Sequence, residues 1–232
     1  MEDRRISVLD NGYVRYIKHF GDDLDVVNSA RVSYDKEKMT FDEKDARLIA
    51  FLMREEHVAT LRHSAVTFEV YAPLMIVRQW HKYAVASSHV EDQLGWSESS
   101  RRYVTEKPTF YIPQATEWRT KPDNSKQGSG DPIPSEDGIW WTVRLMRYID
   151  EGVELYESAM KSDIAAEQAR LFLPAYGMYV RWRWTASLGA IIHLLNQRLE
   201  RDTQKEFQLY ARVVKSIMEE LFPNTIKACF PE

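Results

Sequence analysis

The chain has 232 residues, of which 44% are hydrophobic and 28% are charged, so it can bury the core of one sizeable domain. Its formal net charge of −4 argues against general nucleic-acid binding, and its single cysteine, Cys229, excludes internal disulfides and CxxC metal sites. No apolar run approaches the roughly 20 residues of a membrane span, and the first residues lead into a strand-like segment rather than an apolar signal core. We therefore expect a cytoplasmic protein.

In chain order, the first third of the sequence predicts a hairpin, two helices, a strand and a third helix. Alternating runs flank the turn sequence Asp10-Asn11-Gly12, which predicts a hairpin over residues 6–17 because tight hairpin turns need positive φ angles. Apolar residues alternate with Thr67, Glu69 and Tyr71, which predicts a strand. Helices are predicted over residues 22–33, 42–56 and, after Pro73, 74–87.

The rest of the sequence predicts an edge strand, a loop and a helical half. A strand is expected over 103–112, at an edge because Pro108 interrupts it. Glycine and proline punctuate residues 116–138, which predicts a loop, and helices are expected over about 140–160, 163–172, 176–200 and 203–221. Strands first and helices later favour an α+β fold, an antiparallel sheet packed with long helices, as one domain of residues 1–232.

Two polar segments are candidates for ligand binding. Arg78 and Lys82 share a helix face, and the Gln79 amide between them can both donate to and accept from a base edge; the alternative is an ordinary basic helix face. The loop containing Glu98, Ser100 and Arg102 combines hydroxyls with guanidinium groups, which suits a phosphate. A solvated polar loop remains the alternative there.

Two arginines stand among apolar residues of the helical half. Arg170 precedes a helix stop, and Arg198 follows a leucine-rich run. A buried arginine is costly unless it is paired, so each either pairs with an acid such as Glu167 or Glu206 or faces an anionic ligand. The histidines are too scattered for a zinc site, and we expect no metal.

Read together and in order, these segments resemble the flavin-dependent thymidylate synthase family between about residues 9 and 223. Each block alone is weakly specific, whereas the ordered set is fairly specific. The blocks are Ala30-Arg31-Val32-Ser33, His57 with Leu61-Arg62-His63, Thr67-Phe68-Glu69-Val70, Ala72-Pro73-Leu74, Arg78-Gln79-Trp80, Ser97-Glu98-Ser99-Ser100-Arg101-Arg102-Tyr103 and Phe110-Tyr111-Ile112-Pro113. Ala169-Arg170, Leu173-Pro174, Tyr179, Trp184-Thr185, Arg198, Gln204 and Glu206 follow in the same order.

The resemblance implies a homotetramer with active sites between subunits, in which reduced FAD mediates one-carbon transfer from methylenetetrahydrofolate to carbon 5 of a uracil nucleotide. It implies dUMP as the default substrate, NADPH as the reductant and no attack by a cysteine. The catalytic residues it implies are Arg198 and Ser100, within a nucleotide-binding set of Gln79, Glu98, Ser100, Arg102, Arg170 and Arg198. The cofactor-binding set it implies is Ser33, His57, Arg78, Lys82, Tyr83, Val85, Ser97, Ser187, His193 and Asp202.

The sequence departs from the family at its R-H-R hallmark. Lys82, Tyr83 and Ala84 occupy those positions, and fifteen residues separate Ala84 from Ser100, more than in the family; the extra residues lie around Ser88–Gly95. Gly189 and His193 also replace residues that commonly bind the flavin. These changes leave UMP or dCMP open as substrates, in a modified-nucleotide or antibiotic pathway, and leave open a non-catalytic nucleotide- or flavin-binding relative.

Overall fold

The computed structural model describes residues 5–83, 95–99, 107–123 and 128–231. A five-stranded antiparallel sheet forms its centre, in the order β1-β2-β3-β5-β4. The strands are β1 (Arg5–Val8), β2 (Gly12–Phe20), β3 (Ala65–Pro73), β4 (Trp96–Glu98) and β5 (Tyr179–Ser187). The α+β prediction is therefore confirmed.

Helices cover the sheet and extend the second half of the chain. They are α1 (Asp23–Arg31), α2 (Glu43–Arg54), α3 (Leu74–Trp80), α4 (Ser135–Lys161), α5 (Ala166–Ala169), α6 (Leu188–Arg198), α7 (Lys205–Leu221) and α8 (Pro223–Cys229). Asp22 and Asp42 cap α1 and α2 through reciprocal capping boxes, which satisfy the free amide groups of the first turn. Among the described residues, no helix is long and apolar enough to cross a bilayer.

The predicted hairpin is confirmed, although its geometry differs from the expected one. The positive φ angle falls on Leu9, at 59°, and not on Gly12. Gly12 is required for another reason: an added Cβ would lie 1.9 Å from the Tyr210 hydroxyl and 2.7 Å from the carbonyl oxygen of Val8. Glycine is thus selected by the close approach of α7 to the hairpin.

The largest error of the sequence prediction concerns residues 176–200, which were predicted as one helix. Residues Tyr179–Ser187 form β5, paired with β3 over its whole length and with the short β4 on its other side. The helix α6 starts only at Leu188, where the Ser187 hydroxyl accepts from the Ala190 amide. Trp182 and Trp184 are buried while Arg181 and Arg183 are exposed, the two-residue period of a strand.

Several smaller predictions also need correction. The strand over 103–112 is wrong in its described part, where a bridge from Phe110 to Met178 forms with one backbone bond on each side, since the facing segment becomes a 3-10 turn at Ala175–Gly177. The helix predicted over 74–87 ends at Trp80 and continues as a 3-10 turn to Tyr83; the remainder lies outside the described residues. The predicted loop ends at 134 because α4 starts at Ser135, and the helix over 163–172 shortens to α5 and a 3-10 turn. The helix α8 was not predicted.

A cluster of aromatic side chains forms the centre of the main core and fixes α3 on the sheet. Trp80 is fully buried, and its ring lies 5.4 Å from Trp182, 5.7 Å from Trp184 and 5.2 Å from Phe207. Trp80 packs against both strand β5 and helix α7 at the C-terminal end of α3. These contacts fix the position of the preceding residue, Gln79, relative to α7.

Candidate active site

The chain brings Gln79, Tyr83 and Arg198 together from segments more than a hundred residues apart. Arg198 lies in the last turn of α6, where the helix dipole favours a cation. Its Nε donates to the Tyr83 hydroxyl at 2.8 Å, and its Nη1 donates to Gln79 Oε1 at 3.3 Å. The guanidinium also lies over the Phe207 ring, with its carbon 5.0 Å from the ring centre, so one of its faces is covered.

A second glutamine fixes the orientation of the Gln79 amide. Gln79 Nε2 donates to Gln204 Oε1 at 2.5 Å and to the carbonyl oxygen of Met75 at 3.2 Å. Its amide nitrogen is therefore engaged by acceptors, and its oxygen is turned towards Arg198. Gln204 directly precedes α7, so α3, α6 and α7 all converge at this amide.

Arg198 has no carboxylate partner in the part of the chain that the structure describes. The acid considered for it, Glu206, instead forms an ion pair with Arg119 from the preceding loop. Both acceptors of Arg198 are neutral, and the rest of its N–H donors remain for a ligand. A half-buried guanidinium that is not neutralised by the protein is costly, and an anionic or carbonyl-rich ligand would offset that cost.

Tyr83 lies between Arg198 and a cavity beside α6. Its side chain is buried, its hydroxyl donates to Gln197 Oε1 at 2.6 Å, and its ring meets the His193 ring edge-on at 5.7 Å. Burial raises the pKa of Tyr83, although Arg198 partly offsets this. The hydroxyl therefore stays protonated, and it can accept from Arg198 while it donates to Gln197.

The cavity beside α6 has a volume of about 640 Å³, within the range of small-molecule sites. Its wall combines apolar side chains with two cations, one carboxylate (Glu56) and two ring or amide groups. The lining residues include Arg54, Arg62, Gly189, His193, Asn196 and Cys229. Cations beside an apolar wall suit a ligand that has a planar ring system and an anionic group.

A second cavity, of about 560 Å³, lies on the other side of Leu52, which lines both. Arg31, Lys36 and His57 contribute polar groups to it, and the His57 ring stacks on Phe51 at 6.1 Å. Ser33 belongs to the 3-10 turn Val32–Tyr34 that follows α1. The cationic and ring groups of these cavities are chemically suited to the phosphates and ring system of a flavin nucleotide.

Cys229 is poorly suited to act as a nucleophile. Burial raises the pKa of its thiol to about 12, and only the thiolate attacks an electrophile effectively. The residue packs against the core at the end of α8 and lines the first cavity. Within the described residues, no group of three or more histidine, cysteine or acidic side chains could hold a metal ion.

Of the other residues predicted for the site, some lie on the exposed surface of α3, its 3-10 extension and β4, and some lie outside the described part. Arg78 and Lys82 are exposed, and so are Ser97 and Glu98 on edge strand β4. Facing residues of paired strands lie on one side of a sheet, so Glu98 shares the side of Trp182 and Ser97 that of Arg183. Ser100, Arg102 and Val85, together with Ala84, lie outside the described residues.

Three more predicted residues have no described contact with Arg198. Ser187 is buried as the cap of α6, and Asp202 is exposed in the turn before α7. Arg170 is exposed, and its Nε donates to the carbonyl oxygen of Glu167 at 3.2 Å. The acid considered for Arg170 thus contributes its backbone and not its carboxylate.

Sequence reasoning missed Gln197 and the cavity arginines Arg54 and Arg62. Gln197 precedes Arg198 directly, and no local pattern shows that its amide would meet Tyr83, 114 positions earlier. Arg54 lies in the last turn of α2 and looked like an ordinary C-terminal cation. The sequence indicates Arg62 only as part of a block that resembles the family. The signal that could have identified it is its place as a cation close to both His57 and His63.

Comparison with known proteins gives a consistent set of relatives. The family model described as "Thymidylate synthase complementing protein" matches residues 15–224. The flavin-dependent thymidylate synthase of Thermus thermophilus is 34% identical over 218 residues, covering 94% of this chain and 75% of that protein. The same-named protein of Thermotoga neapolitana is 31% identical over 224 residues, covering 97% and 93%.

Solved structures of a UMP/dUMP methylase, PolB from Streptomyces cacaoi, share the fold. The structure bound with 5-Br UMP has a TM-score of 0.80 and 27% identity, covering 97% of this chain and 96% of that chain. The structure bound with 5-Br dUMP has a TM-score of 0.81 and 28% identity, with 96% coverage of each chain.

Proposed function

The chain belongs to the thymidylate synthase complementing protein family, and from this premise we propose that it is a methyltransferase that methylates carbon 5 of a uracil nucleotide. The observation that carries the proposal is the set of partners of the Arg198 guanidinium. Its guanidinium is oriented by two neutral acceptors and has no acidic partner among the described residues. Such a group is preorganised for negative charge that develops on a ligand.

Arg198 has a defined chemical task in this proposal. When carbon 5 of the uracil acts as a nucleophile, negative charge builds on the ring carbonyls. A guanidinium already fixed in place stabilises that charge without reorganising during the reaction. Gln79, locked by Gln204, orients Arg198 from the other side. Cys229 takes no part, since its thiol stays protonated.

The proposed cofactor is FAD, with methylenetetrahydrofolate and NADPH as co-substrates. A bound flavin supplies the redox chemistry of the one-carbon transfer, and the protein supplies positioning and electrostatics. His193, Arg54 and Arg62 would hold it in the first cavity, and His57 would contact it in the second. Arg78, Lys82, Ser97, Ser187, Asp202 and Val85 remain predicted contacts.

The default substrate is dUMP, and UMP is the main alternative. The PolB structures were solved with 5-Br UMP and with 5-Br dUMP, so this fold accommodates both sugars in that protein. The phosphate would be bound by Arg170 together with Ser100 and Arg102, as the resemblance implies. dCMP is the third substrate to test, because it differs from dUMP in the base alone.

We also propose that the protein is a homotetramer of one-domain protomers whose sites lie between subunits. The helix α4 exposes a set of large apolar side chains, and the segment after α5 adds others. The set on α4 is Ile139, Trp140, Trp141, Val143, Met146, Tyr148, Leu155 and Met160. Apolar surface on this scale is typical of an interaction surface.

The experiment that tests the function is release of tritium from carbon 5. Purified protein is given FAD, NADPH, methylenetetrahydrofolate and one of three substrates: 5-tritiated dUMP, UMP or dCMP. We expect tritium release that depends on folate and flavin and is fastest with dUMP or UMP. A protein that releases no tritium from any of the three is not a methylase of these nucleotides.

A non-catalytic nucleotide- or flavin-binding relative is the second candidate, favoured by the exposed Lys82 and by Gly189 at positions where the family uses other residues. The colour of the purified protein separates the candidates. A protein that is yellow, is bleached by dithionite and releases tritium fits the enzyme. A colourless protein that binds dUMP without FAD fits the second candidate.

A further inference from the structure

The Tyr83 hydroxyl accepts the shorter of the two hydrogen bonds that the structure describes for the Arg198 guanidinium. The Nε of Arg198 donates to it at 2.8 Å, against 3.3 Å for the bond from Nη1 to Gln79. The resemblance placed Tyr83 in the cofactor set. The contact also joins Tyr83 to the proposed base-binding arginine.

Tyr83 cannot easily turn away from Arg198. Its side chain is buried to 3% exposure, and its ring lies against His193 on one side. Its proton is already committed to Gln197 Oε1 at 2.6 Å, so its lone pairs are directed at Arg198. A hydroxyl that donates to one neighbour and accepts from another has a fixed orientation.

We propose that Tyr83 is a positioning residue that fixes the Arg198 guanidinium for the nucleotide through the Nε bond. This inference rests on the proposed function, because it assigns a task to the same site. With Nε bound to Tyr83 and Nη1 to Gln79, the guanidinium plane is set by two points. Loss of the hydroxyl removes the shorter of these two bonds and leaves the guanidinium held by the longer Gln79 bond and by its contact with the Phe207 ring.

The geometry also gives Tyr83 a place between the two parts of the site. One end of its side chain contacts Arg198, and its ring contacts His193, which lines the first cavity. A ligand that moves the His193 ring therefore meets the same side chain that orients Arg198. The structure thus offers a direct route from cavity to arginine through one buried residue.

The first test needs no ligand. The Nε–H group of Arg198 gives a distinct 15N–1H NMR signal when its hydrogen exchange is slow, and a bond to the buried Tyr83 hydroxyl slows that exchange. We expect a protected Arg198 signal in the wild-type protein and its loss in Tyr83→Phe. A wild-type signal that exchanges as fast as those of exposed arginines overturns the proposal.

The second test is a double-mutant cycle on dUMP binding, measured by calorimetry. Tyr83→Phe alone is expected to weaken dUMP affinity on the order of tenfold, a coupling usual for residues in one network. In an Arg198→Ala background the same change is expected to have less than about a twofold effect. An equal loss in both backgrounds, or no loss in the wild-type background, overturns the proposal.

Two further variants guard against a purely structural explanation. Tyr210→Phe also removes a buried hydroxyl, which donates to the carbonyl oxygen of Tyr71, and it should leave dUMP affinity unchanged. Gln197→Met removes the acceptor of the Tyr83 proton at an exposed position, so it should fold and show a smaller loss in the same direction. If the wild-type protein does not bind dUMP, the proposed function fails while the NMR test still decides the positioning.

Discussion

At the scale of single residues, Arg198 decides what this site can do, because its charge is balanced by no described carboxylate. We expect Arg198→Ala to lower the kcat for tritium release by about a hundredfold to a thousandfold, as for removal of one preorganised donor. Arg198→Lys keeps the charge but loses the planar fork, so it should recover only part of the rate. The measurement is kcat at saturating dUMP.

The matched control is Arg47→Ala. Arg47 is exposed on α2, where it lies 3.9 Å from Glu43 of the same helix, so its removal should leave kcat within the error of the wild type. Normal turnover in Arg198→Ala would remove this arginine from the chemistry, whatever happened to nucleotide affinity.

For Cys229 we predict the opposite result, namely that its replacement does not lower turnover. Because burial raises the pKa of its thiol to about 12, almost none of it is thiolate at neutral pH. Cys229→Ala should therefore keep kcat within about threefold of the wild type. Iodoacetamide should also react slowly with the folded wild-type protein, followed by mass spectrometry. A kcat loss as large as that of Arg198→Ala would indicate a covalent role.

The residues of the site were predictable to different degrees. Gln79 and Arg198 could be named from the sequence because each stands in a recognisable segment. Their contact with Tyr83 could not be predicted, because the pairing of β5 with β3 is what brings α3 and α6 together. Glu206 looked like a partner for Arg198, but the loop before α4 brings Arg119 to it instead, and no local pattern indicates that contact.

At the scale of elements, Asp23 connects the first helix of the chain to the last. Its buried carboxylate accepts from the Asn224 amide at 2.8 Å and its side chain at 2.9 Å, and from the Thr225 amide at 3.0 Å and its hydroxyl at 2.6 Å. It thereby caps α8, which carries Cys229 into the cavity wall. We expect Asp23→Ala to lower the free energy of unfolding by about 2–4 kcal/mol, because buried donors lose their acceptor.

Urea unfolding measures this loss, and Asp25→Ala is the control on the same helix. The Asp25 carboxylate accepts only from the Asp22 amide in an exposed capping box, so its removal should cost about 1 kcal/mol. Equal losses for the two variants would show that α8 does not depend on Asp23.

A charge cluster between α1 and α2 predicts how stability changes in acid. A hydrogen bond from Lys38 lowers the pKa of Asp42 from 3.8 to about 2. Burial would raise the pKa of Asp45, but bonds from Lys38 and Arg31 lower it. A carboxyl whose pKa is lowered by folding stabilises the protein above its unfolded value and loses that effect as the pH falls. The contribution should therefore fade between about pH 4 and pH 2.

The variant Asp42→Asn tests this sign, since asparagine still caps α2 but cannot titrate. Wild-type protein should melt at a higher temperature than the variant near neutral pH, and the difference in Tm should shrink as the solution is acidified. A difference that grows in acid would contradict the assignment. Scanning calorimetry at a series of pH values supplies the measurement.

The elements that were predicted correctly have strong local sequence signals. The missed strand, β5, is followed directly by a sequence that favours a helix. Asp42 caps α2, and the turn after Val8 closes the first hairpin, so both could be found from neighbours in sequence. The strand β5 runs directly into α6 without glycine or proline before Leu188, and the leucine-rich stretch beyond it extended the predicted helix. The alternation of Arg181 and Arg183 with tryptophans was the overlooked signal.

At the scale of the whole molecule, the exposed apolar side chains of α4 and the exposed Arg170 both favour an oligomer with shared sites. Trp140 and Leu155 remain 49% and 46% exposed in the single chain, and Arg170 projects beside Leu171, which is 81% exposed. In a tetramer these surfaces would be covered, and Arg170 would be supplied to the site of a neighbouring copy. Trp140→Glu together with Leu155→Glu should then lower the mass measured by light scattering and reduce turnover.

If the sites are shared between subunits, two variants that are each inactive should restore activity when they are mixed. If Arg170 and Arg198 of one site come from different protomers, mixing Arg170→Ala with Arg198→Ala and reassembling them gives some sites with both arginines intact. Random mixing restores roughly a quarter of the sites in a closed symmetric oligomer, measured as tritium release from dUMP. The double variant Arg170→Ala/Arg198→Ala mixed with wild type is the control, because it can only dilute activity. A mixture that stays inactive, while light scattering shows mixed tetramers, would place both arginines in one protomer's site and remove the structural reason for sharing.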